Sequence, residues 1–288
     1  MSQDAHFATK TPKEAALEKT ILTVFQGRAG DHNDLAIPGA ATVASALAGQ
    51  LGLGVQVIGT PEPALNTHWQ QELDAAMPAL QAMSRHYETI FEQGARPLTV
   101  LTRCAVALAT LPIVAGYRPD ACVVWLDAHA DMNTPDTSTS GYLGGMAISG
   151  AAGLWDSGLG AGLALKNVVL VGARDVDPAE HTLIDSGGIQ IVRPQADIGT
   201  AMIDTIAGRP VYVHLDCDVL NPGIVPSDYQ VEGGLTLSGL QDVLGCLAQS
   251  ELLGVEIAEF QNAWEIGGHP VSPEGFLGAI GPLVERFR

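Results

Sequence analysis

The chain has 288 residues, a length suited to one large α/β domain or two small ones, and a formal net charge of −18 with only 14 Lys and Arg. Nucleic acid and anionic membranes both need a basic face, so the charge argues against either as a partner. Residues 1–20 lack the apolar core of a signal peptide and no apolar run is long enough to span a membrane, so a cytoplasmic protein is expected.

Residues 1–20 are polar and read as a flexible segment, with a single domain over 21–288. Strands are predicted at 21–25, 54–59, 97–101, 122–126, 167–172, 189–192, 211–215 and 253–257, each a short β-rich apolar run. Helical stretches alternate with them near 38–51, 68–93, 104–115, 143–153, 178–186, 197–207, 237–249 and 273–286. Such alternation implies a three-layer α/β/α sandwich around a mainly parallel sheet. Functional sites in these sheets lie at the C-terminal ends of the strands. The four cysteines (104, 122, 217, 246) form no CxxC pair, which argues against a disulfide frame or a zinc ribbon.

Two strand ends carry the chemistry. The run Ala121–Leu126 releases Asp127, His129 and Asp131, and the run Val211–Leu215 releases Asp216 and Asp218. Residues i and i+2 of a strand face the same side, so the second pair can face one site. Clustered carboxylates leaving a buried strand are costly unless a cation meets them. Two such ends with one His suggest a two-metal centre. Hard oxygen ligands with a single nitrogen fit Mn²⁺ best, with Mg²⁺, Fe²⁺, Co²⁺ or Ni²⁺ as alternatives.

The segments Asp127-Ala-His129-Ala-Asp131-Met-Asn133 and Asp216-Cys-Asp218-Val-Leu-Asn221-Pro222 resemble the DAHxDxN and DxDxxDP motifs of the ureohydrolase (arginase/agmatinase) family, with Asn221 in place of the usual Asp. Gly172–His181, Gly233–Thr236 and Gly254–Glu259 add to the likeness, which covers nearly the whole chain beyond residue 20. The resemblance implies an arginase-like fold, two Mn²⁺ per chain and a homotrimer or hexamer. One metal would be held by Asp127, His129, Asp216 and Asp218. The other would be held by Asp127, Asp131, Asp216 and a residue after the third strand. Asp131 and Glu259 would be catalytic, with Glu259 facing the guanidinium beside Thr236. Asp177 and Glu180 would take a substrate α-amino group, and Asn133 and Ser140 its α-carboxylate.

Three further positions depart from the family pattern. Cys104 stands where a ligand His is usual. Apart from the resemblance, a Cys opening an apolar helix reads as a small buried hydrophobe; the aligned position makes it a metal-facing thiol. Tyr142 replaces an Asn and, as a substrate-binding residue, changes the pocket beside the α-carboxylate; Gly144 replaces a His that passes protons to the leaving amine. His32, in the loop after the first strand, is either a substrate-binding residue or a plain loop His. His214, in mid-strand, reads as packed rather than ligating, and Cys217 should point away from the site.

Cys104 together with the Gly-Tyr-Leu-Gly-Gly segment resembles a divergent bacterial branch that includes Nω-hydroxy-L-arginine hydrolases, which release ornithine and hydroxyurea. The expected activity is hydrolysis of a C–N bond in a linear guanidine or amidine, with Nω-hydroxy-L-arginine or a related guanidino amino acid as substrate. The alternatives are an arginase- or agmatinase-like hydrolase of another guanidino compound, or a non-catalytic metal-binding paralogue.

Overall fold

The computed structural model describes residues 19–194 and 197–288. One eight-stranded sheet, every pairing parallel, forms the centre, in the order β2-β1-β3-β8-β7-β4-β5-β6. The strands are β1 (Lys19–Phe25), β2 (Val55–Ile58), β3 (Ala95–Val100), β4 (Cys122–Leu126), β5 (Val168–Val171), β6 (Gln190–Val192), β7 (Val211–Asp216) and β8 (Leu252–Ala258). The helices are α1 (Ala36–Leu51), α2 (Trp69–Glu92), α3 (Ala107–Tyr117), α4 (Ala147–Ala152), α5 (Pro178–Gly187), α6 (Ile198–Ile206), α7 (Leu237–Leu247) and α8 (Glu274–Val284).

The central strands are apolar on both faces because both faces are covered. In β4, Val123 and Trp125 join the core built by α2, α3 and α4, whereas Cys122, Val124 and Leu126 join the core under α1, α6, α7 and α8. The predicted three-layer sandwich is therefore the fold.

Differences from the predicted boundaries are local. β1 begins at Lys19 and includes Thr20, which pair with Ala95 and Arg96; of the segment expected to be flexible, residues 1–18 lie outside the described residues. The helix expected from Cys104 opens as a tight 3₁₀ turn, Cys104–Val106, before α3. The helix expected from residue 143 likewise has a 3₁₀ turn, Gly144–Met146, before α4, since paired glycines favour an α-helix poorly. No described helix is long and apolar enough to cross a membrane.

Register places the site. Trp125 of β4 pairs with His214 of β7, which pairs with Glu256 of β8. Two residues further along each strand, on the same face, come Asp127, Asp216 and Ala258. The site therefore stands on a buried row of aromatic and polar side chains, directly at the C-terminal edge.

Candidate metal centre and substrate cleft

Five neighbouring strands, β3, β8, β7, β4 and β5, send their following residues into one cleft. β3 leads to Cys104, β8 to Glu259, β7 to Asp216 and Asp218, β4 to His129, Asp131 and Asn133, and β5 to Asp175, Asp177 and Glu180. Thr139, Ser140, Tyr142 and Tyr229 complete the lining. The cleft has a volume of about 220 Å³.

The ligand atoms expected from the sequence do come together. Cys104, Asp127 and Asp131 offer one set of donor atoms within 4.8 Å of one another, and Asp127, His129 and Asp218 offer a second. Cys104, Asp216 and Glu259 form a third set of the same span. Asp127 and Cys104 each belong to two of the three sets.

These groups are tied down from below and from their own backbone. Trp125 Nε1 donates to Asp127 Oδ2 at 2.9 Å, and Asp127 Oδ1 accepts the His129 amide at 2.7 Å. Asp216 Oδ1 accepts the Asp218 amide at 2.7 Å, and Asp218 Oδ1 accepts the Ala128 amide at 3.0 Å. His214 stacks flat on Trp125, ring centroids 3.5 Å apart, and its Nδ1 lies 2.7 Å from Glu256 Oε1. Its Nε2 lies 3.1 Å from Cys104 Sγ, which also reaches Asp216 Oδ2 at 3.0 Å. His214 is thus the packed, hydrogen-bonded residue expected from the sequence, and it also positions the Cys104 thiol. Cys217 packs in the opposite core, away from the site, as strand alternation predicts.

The electrostatics show why a cation fits. Burial, then repulsion from Asp218, pushes the Asp127 carboxyl up to about 6. Burial and neighbouring carboxylates likewise raise Asp131 and Asp216 well above the ordinary range. Burial opposes charge on His129, yet hydrogen bonding to Asp127 and Asp218 raises its pKa well above the usual imidazole value. The same cluster, through burial and then Asp216, lifts the Cys104 thiol. Four crowded carboxylates draw a proton onto the one imidazole among them, and divalent cations would satisfy the same demand. Asp131 and Glu259 both hold left-handed backbone, with φ of 50° and 67°. Non-glycine residues pay for that conformation in strain, which concentrates at functional sites.

The far end of the cleft is polar and partly self-paired. Asn133 Nδ2 donates to Asp177 Oδ2 at 2.8 Å. Both oxygens of Glu180 accept backbone amides, Oε1 from Met132 and Oε2 from Asp177, so Glu180 braces the loop as well as lining the cleft. Ser140 Oγ accepts the Tyr142 amide at 3.2 Å.

Two expected substrate-binding residues do not line the cleft. Thr236 caps α7, its hydroxyl accepting the Gly239 amide at 3.1 Å. His32 lies behind Tyr142, ring centroids 4.6 Å apart, with Nδ1 2.9 Å from Asp228 Oδ2. Sequence reasoning missed Arg103, Asp175, Asp228 and Tyr229. The first adjoins Cys104 and the last two are adjacent in one loop, but nothing local in the sequence marks them.

The arginase family model matches residues 26–269. The chain belongs to the arginase family. Among its relatives, N(omega)-hydroxy-L-arginine amidinohydrolase of Streptomyces lavendulae is 43% identical over 240 residues, 83% of this chain and 87% of that one. Hepatic arginase of Aquarana catesbeiana is 36% identical over 152 residues, spanning 46% of this chain and 47% of the frog protein. In fold, the chain is similar to Entamoeba histolytica arginase in complex with L-ornithine, with a TM-score of 0.80 at 19% identity, over 93% of this chain and 99% of that one. This arginase-family member is a hydrolase of guanidino C–N bonds.

Proposed function

We propose that this arginase-family hydrolase uses two Mn²⁺ per chain and acts on Nω-hydroxy-L-arginine, releasing ornithine and hydroxyurea. The observation that carries the reading is the convergence of Cys104, Asp127, His129, Asp131, Asp216 and Asp218 at one end of a cleft whose other end holds Asn133, Ser140 and Asp177. The identity of 43% to the Streptomyces enzyme supports the choice of substrate.

Asp127, His129, Asp216 and Asp218 would hold one ion, and Cys104, Asp127, Asp131 and Asp216 the other. Ions bound there would supply Lewis-acid activation of water. The chain's own residues do the rest. Asp177 takes the substrate α-amino group, with Glu180 holding that loop in place. Asn133 and Ser140 take the α-carboxylate. Glu259 accepts from a guanidino N–H, and the Tyr142 hydroxyl lies beside it. Fixing both ends of the substrate lowers the entropic cost of reaching the reactive geometry. A cytoplasmic homo-oligomer, trimer or hexamer, is part of the proposal.

The test is release of ornithine and hydroxyurea from Nω-hydroxy-L-arginine by the Mn²⁺-loaded protein, with arginine assayed in parallel. Product from the hydroxylated substrate at a higher kcat/KM supports the reading. No hydroxyurea, or a preference for arginine, overturns the assigned substrate.

A further inference from the structure

Arg103 is completely buried, and its guanidinium is engaged inside the protein. Nε donates to Asp31 Oδ1 at 3.0 Å. Nη1 donates to Glu259 Oε2 at 2.7 Å and to Asp228 Oδ2 at 3.2 Å. Glu259 is the carboxylate expected to face the substrate's guanidino group, so that group meets a carboxylate already holding a guanidinium.

The acceptor count on Glu259 is decisive. Its Oε1 accepts the Cys104 amide at 3.0 Å and the Tyr142 hydroxyl at 3.2 Å. A carboxylate offers about four acceptor directions, and three here are taken. A cationic guanidinium is held best by two parallel bonds, one to each oxygen. Glu259 has one direction left. A second guanidinium brought to Glu259 would also have to lie beside Arg103, which its bonds to Asp31 and Asp228 hold in place.

We propose that Arg103 is a specificity-determining residue, a built-in guanidinium that turns Glu259 away from cationic alkylguanidines and toward guanidino groups carrying an oxygen on nitrogen. The inference rests on the reading of the cleft as a guanidino hydrolase. An oxygen substituent withdraws electron density, so N-hydroxyguanidines and guanidinooxy groups are far weaker bases than the side chain of arginine. Such a group can enter uncharged, give one N–H to the open direction on Glu259, and place no second cation beside Arg103. The substrate's oxygen is then selected for its effect on basicity rather than as a handle.

L-canavanine separates these two roles. It keeps the outline of arginine, carries oxygen in place of a methylene, and has no terminal hydroxyl. The experiment measures kcat/KM of the Mn²⁺-loaded full chain for L-arginine, L-canavanine and Nω-hydroxy-L-arginine, and calorimetric binding of the same three. Canavanine and hydroxyarginine should each exceed arginine by about tenfold or more, the scale of one lost hydrogen bond to a charged group. Arg103→Gln frees one direction on Glu259 and should shrink that preference severalfold. Tyr142→Phe frees another without touching a buried charge, and should shrink it in the same sense if Arg103→Gln does not fold. Hydroxyarginine turned over with canavanine no better than arginine leaves the hydrolase standing and overturns the role of Arg103. A preference unchanged in the folded variants also overturns it. If none of the three is hydrolysed, the proposed substrate class fails, but binding still decides: canavanine tighter than arginine supports the inference, and equal binding removes it.

Discussion

The ring of Tyr142 fills the space that a side chain at Gly144 would need. A Cβ built on Gly144 would lie 2.5 Å from Cε1 of that ring and 3.0 Å from its hydroxyl oxygen. The two departures from the family pattern at 142 and 144 are therefore coupled: the Tyr142 ring leaves no room for a side chain at 144, and its hydroxyl reaches Glu259 at 3.2 Å.

Gly144→Ala alone should push the Tyr142 ring out of place, costing about 1–3 kcal/mol of stability as overpacking does and lowering kcat/KM. Tyr142→Ala relieves that clash, so Gly144→Ala should be nearly neutral in a Tyr142→Ala background. A double-mutant cycle by thermal unfolding measures this coupling. Additive effects would show that the two positions do not share the space.

The sequence motifs made the candidate ligands legible because both are short and local. Asp127, His129 and Asp131 follow one strand, Asp216 and Asp218 follow another, and a buried strand ending in carboxylates is conspicuous by itself. The alternation of elements gave the layers for the same reason. What stayed hidden depends on contacts between distant segments. Arg103 meets Glu259 only because β3 and β8 are neighbours, and Trp125, His214 and Glu256 form a row only because three registers coincide. His32 and Thr236 show the converse effect: each has a suitable side chain near a strand end or glycine turn, but its hydrogen bonds hold it outside the cleft lining.

Asp216 lies between the two proposed ion positions, with Oδ2 on Cys104 and Oδ1 on the Asp218 amide. Asp216→Ala should deprive both ions of a ligand. Elemental analysis after dialysis should fall from about two Mn²⁺ per chain to below one, since a two-metal site shares its ligands. Retention of two ions would remove Asp216 from the ligand set.

Asp177 is aimed into the cleft by its bond from Asn133. A charge-assisted hydrogen bond to a substrate ammonium contributes about 1.5–3 kcal/mol. Asp177→Ala should therefore lower kcat/KM for an α-amino acid substrate by about tenfold to a hundredfold. The same compound without its α-amino group should lose little. Equal losses on both would mean that Asp177 shapes the loop and does not bind the amine.

Asp228 gives a pH test that does not depend on the metals. Its carboxylate meets His32 Nδ1 at 2.9 Å, Arg103 Nη1 at 3.2 Å and Asn33 Nδ2 at 3.0 Å. Burial favours its protonated form, but the hydrogen bond with His32 and the charge on Arg103 outweigh that and hold its pKa below the usual value. A carboxylate with a depressed folded-state pKa adds stability above its unfolded pKa of about 4 and loses it as pH falls through the folded value. Asp228→Asn keeps the shape and removes the charge. At pH 7 the variant should be less stable by about 1.5–3 kcal/mol, the scale of a hydrogen bond to a charged group. The gap should close as the pH drops below about 4, because the wild-type carboxylate is then progressively protonated in both states. Urea denaturation of both proteins at pH 7 and near pH 3 measures this difference. A gap of the same size at both pH values would mean that the loss comes from the hydrogen-bonding pattern of the amide, and that the charge of Asp228 and its ion pair with Arg103 add nothing to the fold.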